Sequence, residues 1–365
     1  MRLLKRASGM DQAEYQAAID EGLDRAFGDA AHRDVQLDDL RVIVFSDLHR
    51  GARDGADDFQ RCEAAYSAAL GWYFEQGHEL WLLGDVEELW ENDLDEVLPA
   101  YRALLRMERA FQEGAGLQRF YGNHDLDWSD PRRLKRLQES LPGVRVHEAL
   151  RLRVLEGTQV LGLMFFAHGH QGTDVSDRGA GFSRLVLRYV WRYIQRAQGL
   201  LSTTPADDHR LRHRHDTAMF RWARSRVLDA PPGERPVLVA GHTHHPVFPG
   251  EGVPRPDTSV AARLEEELRA ARESGADPAR LSELRAELER VRALGRLEPY
   301  DPPPIDPPCY FNTGCCSFPD RDVTGLEISG GQIRLVRWLD DGGEARPKVL
   351  AEESLRKVLE SVAAA

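Results

Sequence analysis

Cysteine is scarce in this chain, with four residues among 365 (Cys62, Cys309, Cys315 and Cys316). Also missing is any run of about eighteen apolar residues, the length a membrane-crossing helix needs. The opening Met1-Arg2-Leu3-Leu4-Lys5-Arg6 is basic, but no apolar h-region follows it, so no secretory leader is read there. These absences together predict a reducing, cytoplasmic setting. Basic charge is short as well: 48 Lys and Arg stand against 60 Asp and Glu, a formal net charge of −12. Neutralising a phosphate backbone needs a basic face, so nucleic acid is disfavoured as a partner. No Gly-x-Ser-x-Gly elbow occurs, and Cys315-Cys316 has no upstream signature of a cysteine nucleophile, which argues against covalent catalysis by Ser or Cys. The 42% hydrophobic content supports a sizeable core, enough for one domain with insertions or two smaller ones.

What the chain does have is a series of five short polar motifs. They are Asp47-Leu48-His49, Gly84-Asp85-Val86-Glu87-Glu88, Gly122-Asn123-His124-Asp125, Ala167-His168-Gly169-His170 and Gly241-His242-Thr243-His244. Each follows an apolar, β-branched or aromatic run (residues 41–45, 79–83, 119–121, 161–166 and 236–240), which predicts five strand ends on one rim of a sheet. Carboxylate, imidazole and amide oxygen are the ligands that hard and borderline divalent cations prefer, and two such ions roughly 3.5–4 Å apart need a carboxylate between them. Asp85 is the expected bridge. The competing reading, loop polar groups and satisfied core histidines, requires five coincidences of motif and strand end.

In this order the motifs resemble the calcineurin-like metallophosphoesterases, whose pattern is Asp-x-His, Gly-Asp, Gly-Asn-His-Asp/Glu, a lone His, then Gly-His-x-His. The resemblance spans residues 41–246, and Asn312-Thr313-Gly314 is similar to the strand end that closes the site. It implies two divalent metal ions, one taking Asp47, His49, Asp85 and His244, the other Asp85, Asn123, His168 and His242. Mn²⁺ is the expected ion, and Fe or Zn²⁺ fit the same ligands. Of His168 and His170, the first is preferred because it ends the apolar run and occupies the family's His-Gly position, the chain turning at Gly169. His170 is left as a group supporting the ligands from behind or facing the substrate, or as a plain loop histidine.

The implied reaction is hydrolysis of a phosphomonoester, phosphodiester or pyrophosphate bond through a metal-bridging hydroxide. His124 matches the family's general acid, which protonates the leaving oxygen, and Asp125 and Glu88 are its expected orienting carboxylates. An ordinary solvated acid is the other reading of Glu88. Arg50, directly after His49, is expected to touch the phosphate, with an exposed loop arginine as the alternative. Leu89 stands where protein Ser/Thr phosphatases of the superfamily place Arg, which weighs against a phosphoprotein phosphatase. Cys315 and Cys316 read as small residues packed behind a metal site, with a strained redox pair as the alternative.

Between the motifs, helix-like stretches such as 62–76 and 94–112 alternate with strand-like ones, so the fold class is α/β (α+β). Periodicity alone points to a doubly wound parallel sheet, whereas the resemblance implies a mixed, four-layer metallophosphoesterase β-sandwich flanked by helices. The expected organisation is an N-terminal helical extension over residues 1–40, a metallophosphoesterase domain over 41–350 and a C-terminal helix over 351–365.

Two insertions interrupt that domain. Residues 172–234 read as a basic helical cap, with Arg184, Arg188, Arg192 and Arg196 every four residues beside an apolar, aromatic stripe. Arg184 and Arg188 are expected to bind substrate. Such a cap suits a phosphorylated small molecule or an amphiphilic, lipid-linked or nucleotide-linked substrate, or peripheral contact with an anionic membrane. A solvated lid is the plainer reading. Its placement, together with Gly84-Asp85-Val86-Glu87-Glu88-Leu89-Trp90, is similar to the UDP-2,3-diacylglucosamine hydrolases of lipid A synthesis. This chain departs from them at Glu87, where an aromatic is common, and at His124, where Arg is frequent. The second insertion, 258–297, repeats Ala261, Leu264, Leu268, Ala271 and then Leu281, Leu284, Leu288, Val291 at steps of three and four around a break at 275–278. This predicts an antiparallel helical hairpin, either a self-association element or a solvent-exposed decoration. Two rival functions follow. One is a non-catalytic scaffold binding partners through this hairpin, as retromer-type relatives of the fold do; the weaker one is a nuclease using the arginine-rich cap. The complete ligand set favours the enzyme.

Overall fold

The computed structural model describes residues 11–172, 209–249, 305–318, 321–339 and 346–365, with scattered positions between 264 and 288. In chain order the elements are the helix Gln12–Asp29 (α1), the strands Ala31–Gln36 (β1) and Val42–Phe45 (β2), the helix Glu63–Glu75 (α2) and the strand Glu79–Leu83 (β3). The helices Leu94–Ala100 (α3) and Arg102–Glu113 (α4), the strand Leu117–Phe120 (β4), the helix Pro131–Gln138 (α5) and the strands Val146–His147 (β5), Ala149–Glu156 (β6) and Gln159–Ala167 (β7) follow. The chain then forms the helix His209–Asp229 (α6) and the strands Pro236–Ala240 (β8), Pro246–Val247 (β9), Tyr310–Thr313 (β10), Val323–Ser329 (β11), Gln332–Leu339 (β12) and Arg346–Ser354 (β13). The helix Leu355–Ala364 (α7) comes last.

Alternation along the strands decides the layering. In β2, Val42 and Val44 face one side and Ile43 and Phe45 the other, as the two-residue period requires, and all four are buried. A strand apolar on both faces has to be covered on both. Val42, Val44, Trp81 and Leu83 pack toward Leu152, Met164, Phe166 and Val239 of the other sheet, while Ile43, Phe45, Leu80 and Leu82 meet Tyr66, Leu70 and Tyr73 of α2 and Leu104 and Phe111 of α4. Beyond the second sheet, Ile19 and Leu23 of α1, Trp222 and Ala223 of α6 and Val358 and Leu359 of α7 close the outer side. The result is a four-layer sandwich of two sheets between two helical layers.

Both sheets are mixed. One runs β13-β12-β11-β2-β3-β4-β5, parallel from β2 to β5 and antiparallel from β13 to β2; the other runs β1-β6-β7-β8-β10-β9. The doubly wound parallel sheet that periodicity suggested is therefore overturned. Alternation in short strands does not report partner direction, and it was tight turns such as Gly330-Gly331 that produced antiparallel pairs.

Two boundaries also differ from the sequence reading. Residues 1–40 are not a purely helical appendage, because β1 pairs in parallel with β6 and extends the second sheet. The C-terminal helix begins at Leu355 rather than 351, since β13 continues pairing with β12 through Ser354, which then caps the helix. Residues 251–303 form a compact unit of their own, in which Leu264, Leu268, Leu284 and Leu288 bury one another, with Ala271 and Leu281 against them. Among the described residues no helix is long and apolar enough to cross a membrane.

Candidate metal centre

All five motifs lie at the C-terminal ends of strands: Asp47 and His49 after β2, Asp85 after β3, Asn123 and His124 after β4, His168 after β7, His242 and His244 after β8. Backbone bonds lace these loops together. Asp47 N donates to Gly84 O (3.2 Å), His49 N to Asp85 O (2.9 Å) and Glu88 N to Arg50 O (2.9 Å), while Gly241 N donates to His168 O (3.0 Å) across the second sheet. Of the seven described non-glycine residues with positive φ, five are Asp47, His49, Asp85, His242 and His244. Left-handed backbone costs a side-chain-bearing residue of order 1 kcal/mol, so its concentration in the expected ligands marks a site held against local preference. Close approach is needed too. A Cβ on Gly122 would fall on Asp85 Oδ1 and lie 2.6 Å from the His168 ring, and one on Gly241 would fall on Ser46 Oγ.

The side chains form three overlapping groups with metal-ligand spacing: Asp47, His49 and His244; Asp85, His168 and His242; and His49, Asp85 and His124. Asp47 Oδ1 is 3.3 Å from His244 Nε2 and 3.9 Å from His49 Nε2; Asp85 Oδ2 is 3.0 Å from His168 Nε2 and 3.9 Å from His49 Nε2. His49 Nε2 and His244 Nε2 are 3.1 Å apart.

The donor inventory tests whether these residues fit a cation. His168 Nδ1 donates to Leu83 O (2.8 Å), so in the neutral ring Nε2 carries a lone pair; it makes no hydrogen bond and faces the Asp85 carboxylate. His49 Nδ1 is held by Glu88 Oε2 (2.9 Å), which likewise leaves Nε2 for another partner. Asn123 Oδ1 is buried and meets no hydrogen-bond donor among the described residues. Buried acceptors without donors are costly unless positive charge lies beside them, so the residues fit a bound metal cation.

The electrostatics agree. Burial opposes the charged ring of His49, but Glu88, Asp85 and Asp47 outweigh it and push the imidazole up to about 10. His168 is carried to about 9 against the same burial by Asp85 and Asp47. Burial disfavours the Asp85 carboxylate as well, yet His168, His124 and His49 hold it well below the usual range. Burial lowers His242 and His244, keeping them as neutral imidazoles with ligand lone pairs.

Beside the groups sits His124. Its Nδ1 is 2.6 Å from Glu88 Oε2, Trp90 stacks on its face with centroids 4.0 Å apart, and His49 meets it edge-on at 4.6 Å. Burial works against its charge, but Glu88 and Asp85 raise the imidazole above its ordinary value. Only Nε2 remains for chemistry.

Two expected residues, Asp125 and Arg50, are placed differently from the sequence reading, while His170 lies behind the candidate ligand His168. Asp125 does not orient His124; its oxygens accept from the amides of Gly122 (2.6 Å), Val86 (2.8 Å) and Asp85 (3.2 Å), so it ties together the loops after β3 and β4. Arg50 does not face the site opening. It is 1% exposed, 2.5 Å from Glu108 and 3.8 Å from Glu87, while Arg119 joins Glu87 at 2.7 Å and Glu108 at 3.4 Å in the same buried cluster. His170 is buried beside His168 and Tyr121, and burial lowers its imidazole to about 3. Arg184 and Arg188, with the opening of the expected cap, lie outside the described residues.

The latter part of that interval, α6, is an apolar-faced helix packed on α1 and β8, with Ala218, Met219, Trp222, Ala223 and Val227 buried. It brings two residues to the site that the sequence reading missed. His215 Nε2 donates to Gly169 O (2.7 Å), and Asp216 Oδ1 accepts from Thr243 Oγ1 (3.0 Å) and Tyr310 OH (2.7 Å). The signal was their spacing with Ala218, Met219, Trp222 and Ala223 on one helical face, masked by the charge of the surrounding run. Cys315 Sγ lies 3.3 Å from His244 Nδ1, directly behind a candidate ligand.

No family model and no curated protein sequence matches this chain. Among solved structures, vacuolar protein sorting 29 from Cryptosporidium parvum is similar at a TM-score of 0.34 and 14% identity, over 86% of this chain and 98% of that one. At that score the likeness carries no functional weight.

Proposed function

We propose that this protein is a dinuclear metal-dependent phosphoesterase of the calcineurin-like kind, acting on a phosphomonoester, phosphodiester or pyrophosphate bond. The observation that carries the reading is the clustering of Asp85, His168 and His242 beside Asp47, His49 and His244 at metal-ligand spacing, with the Asn123 Oδ1 of the neighbouring loop buried and without a donor among the described residues. Asp47, His49, Asp85 and His244 would hold one ion, and Asp85, Asn123, His168 and His242 the other, with Asp85 shared. Bound there, two divalent cations supply a low-pKa water and neutralise phosphoryl oxygens. Glu88 accepts a hydrogen bond from Nδ1–H of His124 and favours its imidazolium, whose Nε2–H can then protonate the leaving oxygen. Trp90 covers one face of that ring and restricts its rotation.

The test is hydrolysis of a bis-aryl phosphodiester and its monoester by metal-stripped protein with Mn²⁺ added back, beside an Asp85→Asn control. Metal-dependent turnover lost in the control supports the reading and identifies the ester class. A protein that binds no metal would instead be a scaffold.

A further inference from the structure

The turn after β7 is fixed from three directions. His168 O accepts from Gly241 N (3.0 Å), Gly169 N donates to Gln171 Oε1 (3.0 Å), and Gly169 O accepts from His215 Nε2 (2.7 Å). The third tie comes from a different layer of the fold. A carbonyl can only accept, so His215 carries its proton on Nε2, and Nδ1 accepts from Tyr15 OH (2.6 Å) of α1. The same imidazole lies edge-on to His242, with centroids 4.9 Å apart at 68°. One turn further along α6, Met219 Sδ would be 3.0 Å from a Cβ placed on Gly169, so the helix packs directly against the turn. His215 therefore touches both arms that present His168 and His242, and touches neither His49 nor His244 in any contact of the structure described here.

We propose that His215 is a positioning residue for the cation site built from Asp85, Asn123, His168 and His242, and that it acts selectively on that site of the two. Its hydrogen bond fixes the Gly169 peptide and hence the direction of the His168 ring, its edge supports the His242 ring, and Tyr15 locks its tautomer. Outer partners of metal ligands commonly control affinity by about 10–100-fold. The proposal rests on the dinuclear reading above, but not on turnover.

The experiment is calorimetric titration of metal-stripped protein with Mn²⁺. Wild type should bind two ions; His215→Ala should weaken one of them by about 10–100-fold and leave the other unchanged. His215→Gln, whose amide N–H can still reach Gly169 O, should recover most of the loss, which a merely bulky packing role would not. Adding His215→Ala to His168→Ala should have no further effect on the remaining ion, because the site it serves is already gone. Tyr15→Phe, which deletes one oxygen and should fold, is expected to weaken the same ion in the same direction. Unchanged affinities in both His215→Ala and Tyr15→Phe, or equal weakening of both ions, would overturn the proposal while leaving the dinuclear reading intact. Absence of Mn²⁺ binding by wild type would overturn both.

Discussion

Glu88 Oε2 lies 2.6 Å from Nδ1 of His124, and the same oxygen lies 2.9 Å from Nδ1 of His49. One carboxylate oxygen thus serves both the expected acid and an expected ligand. His124→Ala should lower kcat by about 10²–10⁴-fold while the protein keeps two Mn²⁺. Glu88→Gln should lower kcat and also loosen the ion held by His49, because a neutral amide oxygen in that place holds both ring N–H groups more weakly and no longer supplies the charge that favours them. Turnover measured beside metal content separates the two. Loss of metal in His124→Ala would make His124 a ligand, a role its grouping with His49 and Asp85 allows.

Arg50 shares its buried cluster with Glu108, Glu87 and Arg119, and that changes what its loss should do. Arg50→Ala leaves the buried carboxylates of Glu108 and Glu87 to share Arg119 alone, and an excess buried charge costs up to about 3–5 kcal/mol. Urea unfolding should therefore show a large drop in stability, with KM for a small aryl phosphate nearly unchanged. The opposite pattern, a raised KM at unaltered stability, is what a phosphate contact would give.

His78 supplies a pH dependence away from the metal site. Burial beside Trp72 and Tyr73 pushes its imidazole down to about 4, with Glu327 pulling the other way. The unfolded chain, titrating near 6.5, then binds more protons than the folded one between those values, so stability rises with pH there. The contribution is fully present above about 6.5 and is lost as the pH falls toward 4. In a melting series from pH 7 to pH 5, His78→Phe should lose less than wild type, by at least about 2 °C. Parallel curves would show that His78 titrates alike in the folded and unfolded chains and contributes nothing.

The candidate ligands were legible because each short polar motif interrupts an apolar run, a pattern that survives without tertiary information. Asp47, His49, Asp85, His168, His242 and His244 converge through loops whose lengths place each just past a strand end. Burial was not legible in the same way. Arg50 reads as a surface cation until Glu108, 58 residues away, is seen against it. Asp125 reads as a partner of His124 because the two are adjacent, but its oxygens turn inward to three backbone amides. His215 and Asp216 sit in a run so rich in Arg and His that charge concealed the buried face they share with Ala218, Met219 and Trp222. Local chemistry shows in sequence; which long-range partner neutralises a charge does not.

Gly122 offers the sharpest test of the centre as a built object. A methyl group there would overlap Asp85 Oδ1 and crowd the His168 ring at 2.6 Å, and both are on opposite elements that cannot retreat without breaking the backbone bonds after β3 and β7. Gly122 lies at a loop, outside the apolar clusters that hold the sheets, so Gly122→Ala should fold with a circular dichroism spectrum like wild type. Its Mn²⁺ content should fall below two ions and its turnover to near background, whereas Gly233→Ala, where a Cβ meets nothing within 4 Å, should change neither. Full metal occupancy in Gly122→Ala would mean that Asp85 and His168 do not need their present separation, and would remove the steric argument for the shared carboxylate.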